Sequence, residues 1–141
     1  MAEIERPCQQ CGRTIVWGIG ESVAGGELYW NAAYRCEHCG EMLEMDGRGE
    51  LPGAYREAVL RQDGEWGLEV LSGAPDVKVA AAQTLRETLG ISLTEVKDYL
   101  RRMPGVIRTG TRAEMEYLSA RLKRRRVPVA VKPLVMKGRT T

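Results

Sequence analysis

The chain has 141 residues, enough for one ordinary domain or two small ones, and its 43% hydrophobic and 28% charged residues give it a globular composition. No apolar run approaches the roughly 20 residues that a membrane-spanning helix needs, so the sequence excludes a helical membrane protein and predicts no membrane partner. The formal net charge is only +2, but that charge is unevenly distributed.

The two halves of the chain carry opposite charge. Residues 1–64 contain 6 Lys and Arg against 11 Asp and Glu, whereas residues 65–141 contain 15 against 8. This change of sign favours two functional units. The first six residues have neither the basic nor the apolar segment of a signal peptide, so we expect a cytoplasmic protein.

All the cysteines of the chain lie in two identical Cys-x-x-Cys-Gly knuckles. Cys8 and Cys11 form the first knuckle, and Cys36 and Cys39 form the second. Two such pairs, brought together by an intervening hairpin, supply the four thiolates of a tetrahedral structural zinc site. In a reducing compartment this spacing favours one structural zinc ion, while a disulfide or redox-dithiol interpretation remains open.

The region over residues 1–50 is predicted to be a small zinc ribbon. Thr14 to Trp17 is expected to form a short strand, the glycine-rich stretch Gly18 to Gly26 a hairpin loop, and Met42 to Met45 a further strand. Such a ribbon is too small to bury an adequate core, so the metal has to supply folding energy. Residues 51–64, with Pro52 suited to a first helical turn, are predicted to form a connector helix.

Helix boundaries are well marked in residues 65–133. Ser92 to Glu95 and Thr111 to Glu114 have the capping-box pattern of helix starts, Gly90 is suited to a helix end, and Asp76 is a candidate cap for the first of these helices. The residues at helical spacing, expected to form apolar faces, are Val79, Ala82, Leu85 and Leu89 in one helix and Leu93, Val96, Leu100 and Met103 in the next.

The order of elements in residues 65–133 is strand, helix, helix, strand, helix, strand. It predicts an α+β fold in which three helices cover one face of a mostly antiparallel, three-stranded sheet. Pro128 cannot donate a ladder hydrogen bond, which suits an edge position in the last strand. Residues 134–141 are predicted to form a flexible basic tail.

Residues 78–132 resemble the C-terminal domain of the bacterial ribosomal stalk protein. The resemblance rests on Lys78-Val79-Ala80, on the segment from Gly90 to Tyr99, on Pro104, and on the valines from Val127 to Val131. In that family the domain recruits translational GTPases through its first two helices. The dimerising N-terminal helices and the hinge of the stalk protein are absent from the chain, and the zinc ribbon stands in their place.

The resemblance implies a protein-binding surface on the first two helices. By position, this surface consists of Lys78, Val79, Ala80, Arg86, Glu95 and Lys97. Two lysines of the family are replaced by Gln83 and Thr94, which reduces the basic character of the surface. Because fold resemblance does not establish shared function, the partner stays open between a translation factor, the ribosome and a toxin.

A basic run, Arg121 and Lys123 to Arg126, has two interpretations. Cations at a helix C-terminus interact favourably with the helix dipole, each by about 0.3–1 kcal/mol. Alternatively, the run contacts nucleic acid or an acidic protein; the residues of that patch would be Arg121, Lys123, Arg124, Arg125 and Arg126.

Catalysis has little support in the sequence. The single histidine, His38, lies inside the second knuckle, and four thiolates already complete a tetrahedron without it. The glycines of the first region are not followed by the Lys and Ser or Thr of a phosphate-binding loop. We therefore expect a non-enzymatic, zinc-binding interaction protein, with an RNA-binding module and a small antagonist or immunity protein as the alternatives.

Overall fold

The computed structural model describes residues 2–134 and divides between Gly64 and Glu65 into two compact units. The fold is α+β, as the sequence predicts, with two separate antiparallel sheets. The first unit contains a four-stranded sheet and one helix, and the second contains a three-stranded sheet and three helices.

The first unit is an antiparallel meander in which strands adjacent in sequence are also adjacent in space. Its strands are β1 (Ala2–Pro7), β2 (Thr14–Ala24), β3 (Glu27–Arg35) and β4 (Met42–Arg48), in the order β1-β2-β3-β4. In a meander, alternate connections lie at the same end of the sheet. The β1–β2 and β3–β4 connections, which carry the two cysteine knuckles, are therefore brought together.

The predicted loop from Gly18 to Gly26 is wrong, because β2 continues to Ala24 and only Gly25 and Gly26 form the turn. Those two glycines have φ angles of +58° and +78°, which suit a two-residue hairpin. Gly18 alternates with the buried side chains of β2 and lies on the opposite face of the sheet. The glycines of this segment are typical of a loop, although most of the segment belongs to a strand.

Strand β1 was not predicted, because its alternation of acidic and apolar residues is short. It pairs with β2 along its whole length, and Ala2 and Ile4 contribute to the core while Glu3 and Glu5 are exposed. The side chain of Gln62 accepts a hydrogen bond from the Glu3 amide (2.8 Å) and donates one to its carbonyl. This side chain provides hydrogen-bond partners for two backbone groups at the edge of the sheet.

The helix that follows, α1 (Gly53–Asp63), packs against β1 and belongs to the first unit. Tyr55 and Val59 join Trp17 in the core of that unit. Trp17 is only 3% exposed, and the indole of Trp30 covers Gly47, where an added Cβ would come within 2.1 Å of the ring. Both tryptophans of the first unit therefore act in packing.

The second unit has the predicted order of elements. They are β5 (Trp66–Val70), α2 (Pro75–Leu89), α3 (Leu93–Arg101), β6 (Gly105–Gly110), α4 (Arg112–Arg124) and β7 (Val129–Pro133), with sheet order β6-β5-β7. Leu68 and Val70 of the central strand are fully buried and pack with residues of all three helices. Residues 135–141 of the predicted tail lie outside the described chain, while the Leu134 amide still donates to the Glu65 carbonyl (2.9 Å).

The helix termini confirm most of the predicted boundaries. Both capping boxes are formed, at Ser92 and at Thr111, and Gly90 adopts the left-handed conformation with φ +64°. The predicted cap at Asp76 is wrong: Ala74 is the N-cap residue, Pro75 follows it, and Asp76 lies within the first turn. Proline at the first helical position has no N–H that needs a partner, so α2 begins without a side-chain cap.

We predict that Thr111→Ala destabilises the second unit by about 1–2 kcal/mol. Its hydroxyl accepts from the Glu114 amide (3.2 Å), and the residue is fully buried, so water cannot replace the lost bond. Denaturant unfolding followed by far-UV circular dichroism measures the change. Ser92→Ala is the matched control, because the same bond at that exposed cap costs less; an equal effect at both caps contradicts this argument.

Candidate metal centre and interaction surface

The two cysteine knuckles have the same backbone structure. In the first, the Cys8 amide donates to the carbonyl of Arg13 (2.7 Å), and the Gly12 amide donates to the Cys8 carbonyl (2.9 Å). The second repeats both bonds at Cys36 and Gly40, at 2.8 and 2.9 Å. The two glycines have φ angles of +78° and +81°, which residues with a Cβ rarely adopt. Each knuckle therefore directs two thiols to one point.

The four sulfur atoms form a compact cluster. All of them lie within 4.8 Å of one another, with 3.6 Å between Cys8 and Cys39 and 3.7 Å between Cys11 and Cys36. In a tetrahedral zinc–thiolate site, Zn–S bonds of about 2.3 Å place the sulfurs about 3.8 Å apart. These two separations match this geometry, so the cluster is positioned to coordinate one structural zinc ion.

The chemistry of the thiols also fits a divalent cation. The amide of Cys11 lowers the pKa of Cys8 to about 6, which favours a thiolate at neutral pH. The backbone amide of Glu41 lowers the pKa of Cys39, but loss of hydration and hydrogen bonds to neighbouring thiols outweigh it and raise that pKa to about 12. Without a cation, one thiolate in the cluster makes it harder for a second thiol to ionise. A bound zinc ion would remove this electrostatic repulsion.

The metal centre is continuous with the core of the first unit. Cys8 and Cys36 are buried, whereas Cys11 and Cys39 lie at the surface. The hydroxyl of buried Tyr34 accepts a hydrogen bond from the Gln9 amide (3.1 Å), and its ring lies 4.6 Å from that of Trp17. Because of these contacts, loss of the metal would disturb the aromatic core as well as the knuckles.

His38 is placed outside the sulfur cluster. It is exposed, and its Nδ1 atom lies 2.6 Å from Nη1 of Arg13, which can only donate. This hydrogen bond joins the second knuckle to the residue that follows the first. The side chain thus links the two halves of the metal centre, and the four thiols form the ligand set.

A scan against protein-family models and a search of curated proteins both find no match to this chain. The resemblance of residues 78–132 to the stalk domain therefore has no support from those comparisons. Within the described residues, no helix is long and apolar enough to cross a membrane.

The partner-binding residues predicted from that resemblance lie on α2 and α3, and half of them line a groove there. The groove has a volume of about 690 Å³, and Lys78, Val79 and Arg86 contribute to it. Val79 is 60% exposed, so this position of α2 faces solvent and not the core. The other three predicted residues, Ala80, Glu95 and Lys97, are not among those lining the groove.

Leu93 is a surface residue that the sequence pattern does not identify. Its spacing predicts a place on the apolar, inward face of α3, yet it is 60% exposed and lines the groove opposite α2. Val96 and Leu100, one and two turns later, are buried and half-buried and form the floor beside it. Leu93 directly follows the cap Ser92, where the first turn of α3 has not yet reached the core.

Three anions on α2 and α3 have local partners. The guanidinium of Arg125 contacts both carboxylate oxygens of Glu87, at 2.9 and 2.7 Å. Glu95 is held by the capping box of α3, and the carboxylate of Asp98 pairs with Arg101 at 2.9 Å. Each of these negative charges therefore has a local partner.

Three cations on the same helices have no such partner. Within residues 2–134, Lys78, Arg86 and Lys97 make no ion pair, and Lys78 and Arg86 line the groove itself. Among the described residues lining the groove, the one anion, Glu87, is paired while Lys78 and Arg86 are not, so the rim carries an excess of positive charge.

The cations of the basic run at the end of α4 have different surroundings. Arg121 lies over the ring of Tyr117, with its Cζ atom 4.8 Å from the centroid, and Arg125 is paired with Glu87. The remaining members, Lys123, Arg124 and Arg126, are exposed. Two of the five cations thus have contacts inside the unit.

Proposed function

We propose that this chain is a non-enzymatic, zinc-stabilised interaction protein, whose second unit docks a partner protein in the groove between α2 and α3. The ribbon provides a metal-held scaffold, and the groove provides the recognition surface. A cytoplasmic location accords with the use of the four cysteines as metal ligands.

The observation that carries this proposal is the combination of exposed apolar side chains and unpaired cations in one groove. Val79 and Leu93, each 60% exposed, lie on its opposite lips, and Ala82 and Ile91 line it between them. Lys78 and Arg86 add positive charge to the rim. A surface of this kind is complementary to an amphipathic, acidic segment that inserts apolar side chains and directs carboxylates to the rim.

Two features favour protein docking over the alternatives. The imidazole of His38 is hydrogen-bonded to Arg13, and the four thiols belong to the metal cluster, so these groups already have other contacts. Arg121 and Arg125 of the basic run have contacts inside the unit, which leaves fewer of its cations for phosphate groups. An acidic segment of a translation factor, of the ribosome or of a toxin would be complementary to the groove.

The test compares the full zinc-loaded chain with two synthetic amphipathic peptides. Both have leucines along one helical face; glutamate fills the other face of the first peptide, and lysine fills it in the second. Fluorescence anisotropy at low salt should show the glutamate peptide binding at least about tenfold more tightly, because only its charges complement Lys78 and Arg86.

Two results would overturn the docking proposal. The first is equal or absent binding of the two peptides. The second is tighter binding of a single-stranded RNA oligonucleotide, with a steep salt dependence and no sensitivity to substitution at Val79.

A further inference from the structure

Arg125 connects the end of α4 to the wall of the groove. Its Nη2 atom contacts both carboxylate oxygens of Glu87, and its Nη1 atom lies 3.4 Å from the Oε1 atom of Gln83. Glu87 and Gln83 are one turn apart on α2, and both line the groove. A residue 38 positions away in sequence therefore sets the charge of this wall.

We propose that Arg125 determines the specificity of the groove for acidic partners, because it masks the carboxylate of Glu87. The inference rests on the proposed function and names the residue that makes the groove selective. Glu87 is the one anion among the residues lining the groove in the described chain. When it is paired, Lys78 and Arg86 dominate the local potential; when it is unpaired, it opposes them and repels an incoming carboxylate.

The backbone holds Arg125 in place for this role. Its amide, at the C-cap of α4, donates to the carbonyl of Leu122 (3.0 Å), and the next amide, of Arg126, donates to Lys123 (2.9 Å). The following residue, Val127, is 1% exposed and anchors the chain in the core. The base of the side chain is therefore fixed, and the two terminal nitrogens of the guanidinium contact two residues of α2, Nη2 at Glu87 and Nη1 at Gln83.

The Arg125–Glu87 ion pair contributes little to the stability of the folded protein. The side chains of Arg125 and Glu87 are 35% and 65% exposed, and pairs with that access to water have small effects on stability. The charge of the groove wall still changes by a full unit when the arginine is removed. Specificity, and not stability, should therefore respond to substitution at Arg125.

The test uses the full zinc-loaded chain, the glutamate peptide and a neutral peptide in which glutamine replaces every glutamate. Arg125→Gln should weaken binding of the glutamate peptide about fivefold at low salt and leave binding of the neutral peptide unchanged. Adding Glu87→Gln should restore most of the lost affinity, because no unmasked carboxylate remains. A distorted groove would instead weaken the binding of both peptides.

Arg124→Gln is the matched control. It removes the same net charge from the adjacent residue, but Arg124 is exposed and makes no ion pair in residues 2–134. Equal effects of Arg124→Gln and Arg125→Gln, or failure of Glu87→Gln to restore affinity, would overturn the inference and leave the docking proposal standing. Absence of glutamate-peptide binding to the unsubstituted chain would overturn both.

Discussion

Removal of zinc by a chelator, or the substitution Cys36→Ser, is expected to unfold the first unit while the second unit remains folded. The first unit spans only about 64 residues, a size at which a hydrophobic core alone gives marginal stability. Structural zinc typically supplies about 10–16 kcal/mol of apparent binding energy, so its loss exceeds what such a core provides. The second unit has its own core, and its described residues contain no cluster of potential metal ligands.

Tryptophan fluorescence and circular dichroism distinguish the two units. Trp17 is 3% exposed next to Tyr34, so unfolding of the ribbon should shift tryptophan emission to longer wavelength. Most of the helical signal should persist, because α2, α3 and α4 belong to the second unit and only α1 belongs to the first. Metal analysis of the untreated protein should give about one zinc per chain.

His38→Ser is the matched control for Cys36→Ser. It changes the same knuckle, but His38 contacts Arg13 and lies outside the sulfur cluster, so zinc should be retained and the ribbon should stay folded. Loss of zinc in His38→Ser would show that the ligand set is wrong. A folded ribbon without metal, or complete loss of helical signal in Cys36→Ser, would contradict the structural role of the ion.

Local signals explain what the sequence predicted about the metal centre and the helix starts. The spacing of Cys8 and Cys11 specifies a knuckle by itself, and each capping box lies within four residues, as at Ser92 and Glu95. These features depend on few tertiary contacts, so they can be recognised before the fold is known.

Features that depend on distant contacts could not be predicted in the same way. Strand β1 is stabilised by pairing with β2 and by the side chain of Gln62, which is 59 residues away from Glu3. Leu93 has the spacing of an inward residue, yet the core does not extend to the first turn of α3. The contact of Arg125 with Glu87 requires the packing of α4 beside α2, which no local pattern specifies.

The metal centre and the groove differ in how much of their side chains is exposed to water. Cys8 and Cys36 are buried, and a repeated backbone structure fixes both knuckles, as a structural metal site requires. The groove instead exposes Val79 and Leu93 to water, an arrangement that costs stability unless another surface covers it. This contrast favours a recognition surface in the second unit and a metal-held scaffold in the first.

Val79→Asp and Leu93→Asp are each expected to reduce binding of the glutamate peptide by at least about tenfold. Each substitution removes an apolar contact from one lip of the groove and adds a charge that repels the acidic peptide. Both positions are 60% exposed, so the cost in folding stability should be small. At Leu93 an aspartate in the first turn of α3 even interacts favourably with the helix dipole.

Leu71→Asp separates this effect from a general change in surface hydrophobicity and charge. Leu71 is 53% exposed, just beyond the end of β5, and it is not among the residues lining the groove. Its substitution removes a similar exposed side chain and adds the same charge, so binding should change little. Equal losses for Leu71→Asp and Val79→Asp would mean that the peptide responds to net charge alone. A loss confined to Val79 and Leu93 would place the recognition surface between α2 and α3, because the control matches the loss of an exposed apolar side chain and the added charge.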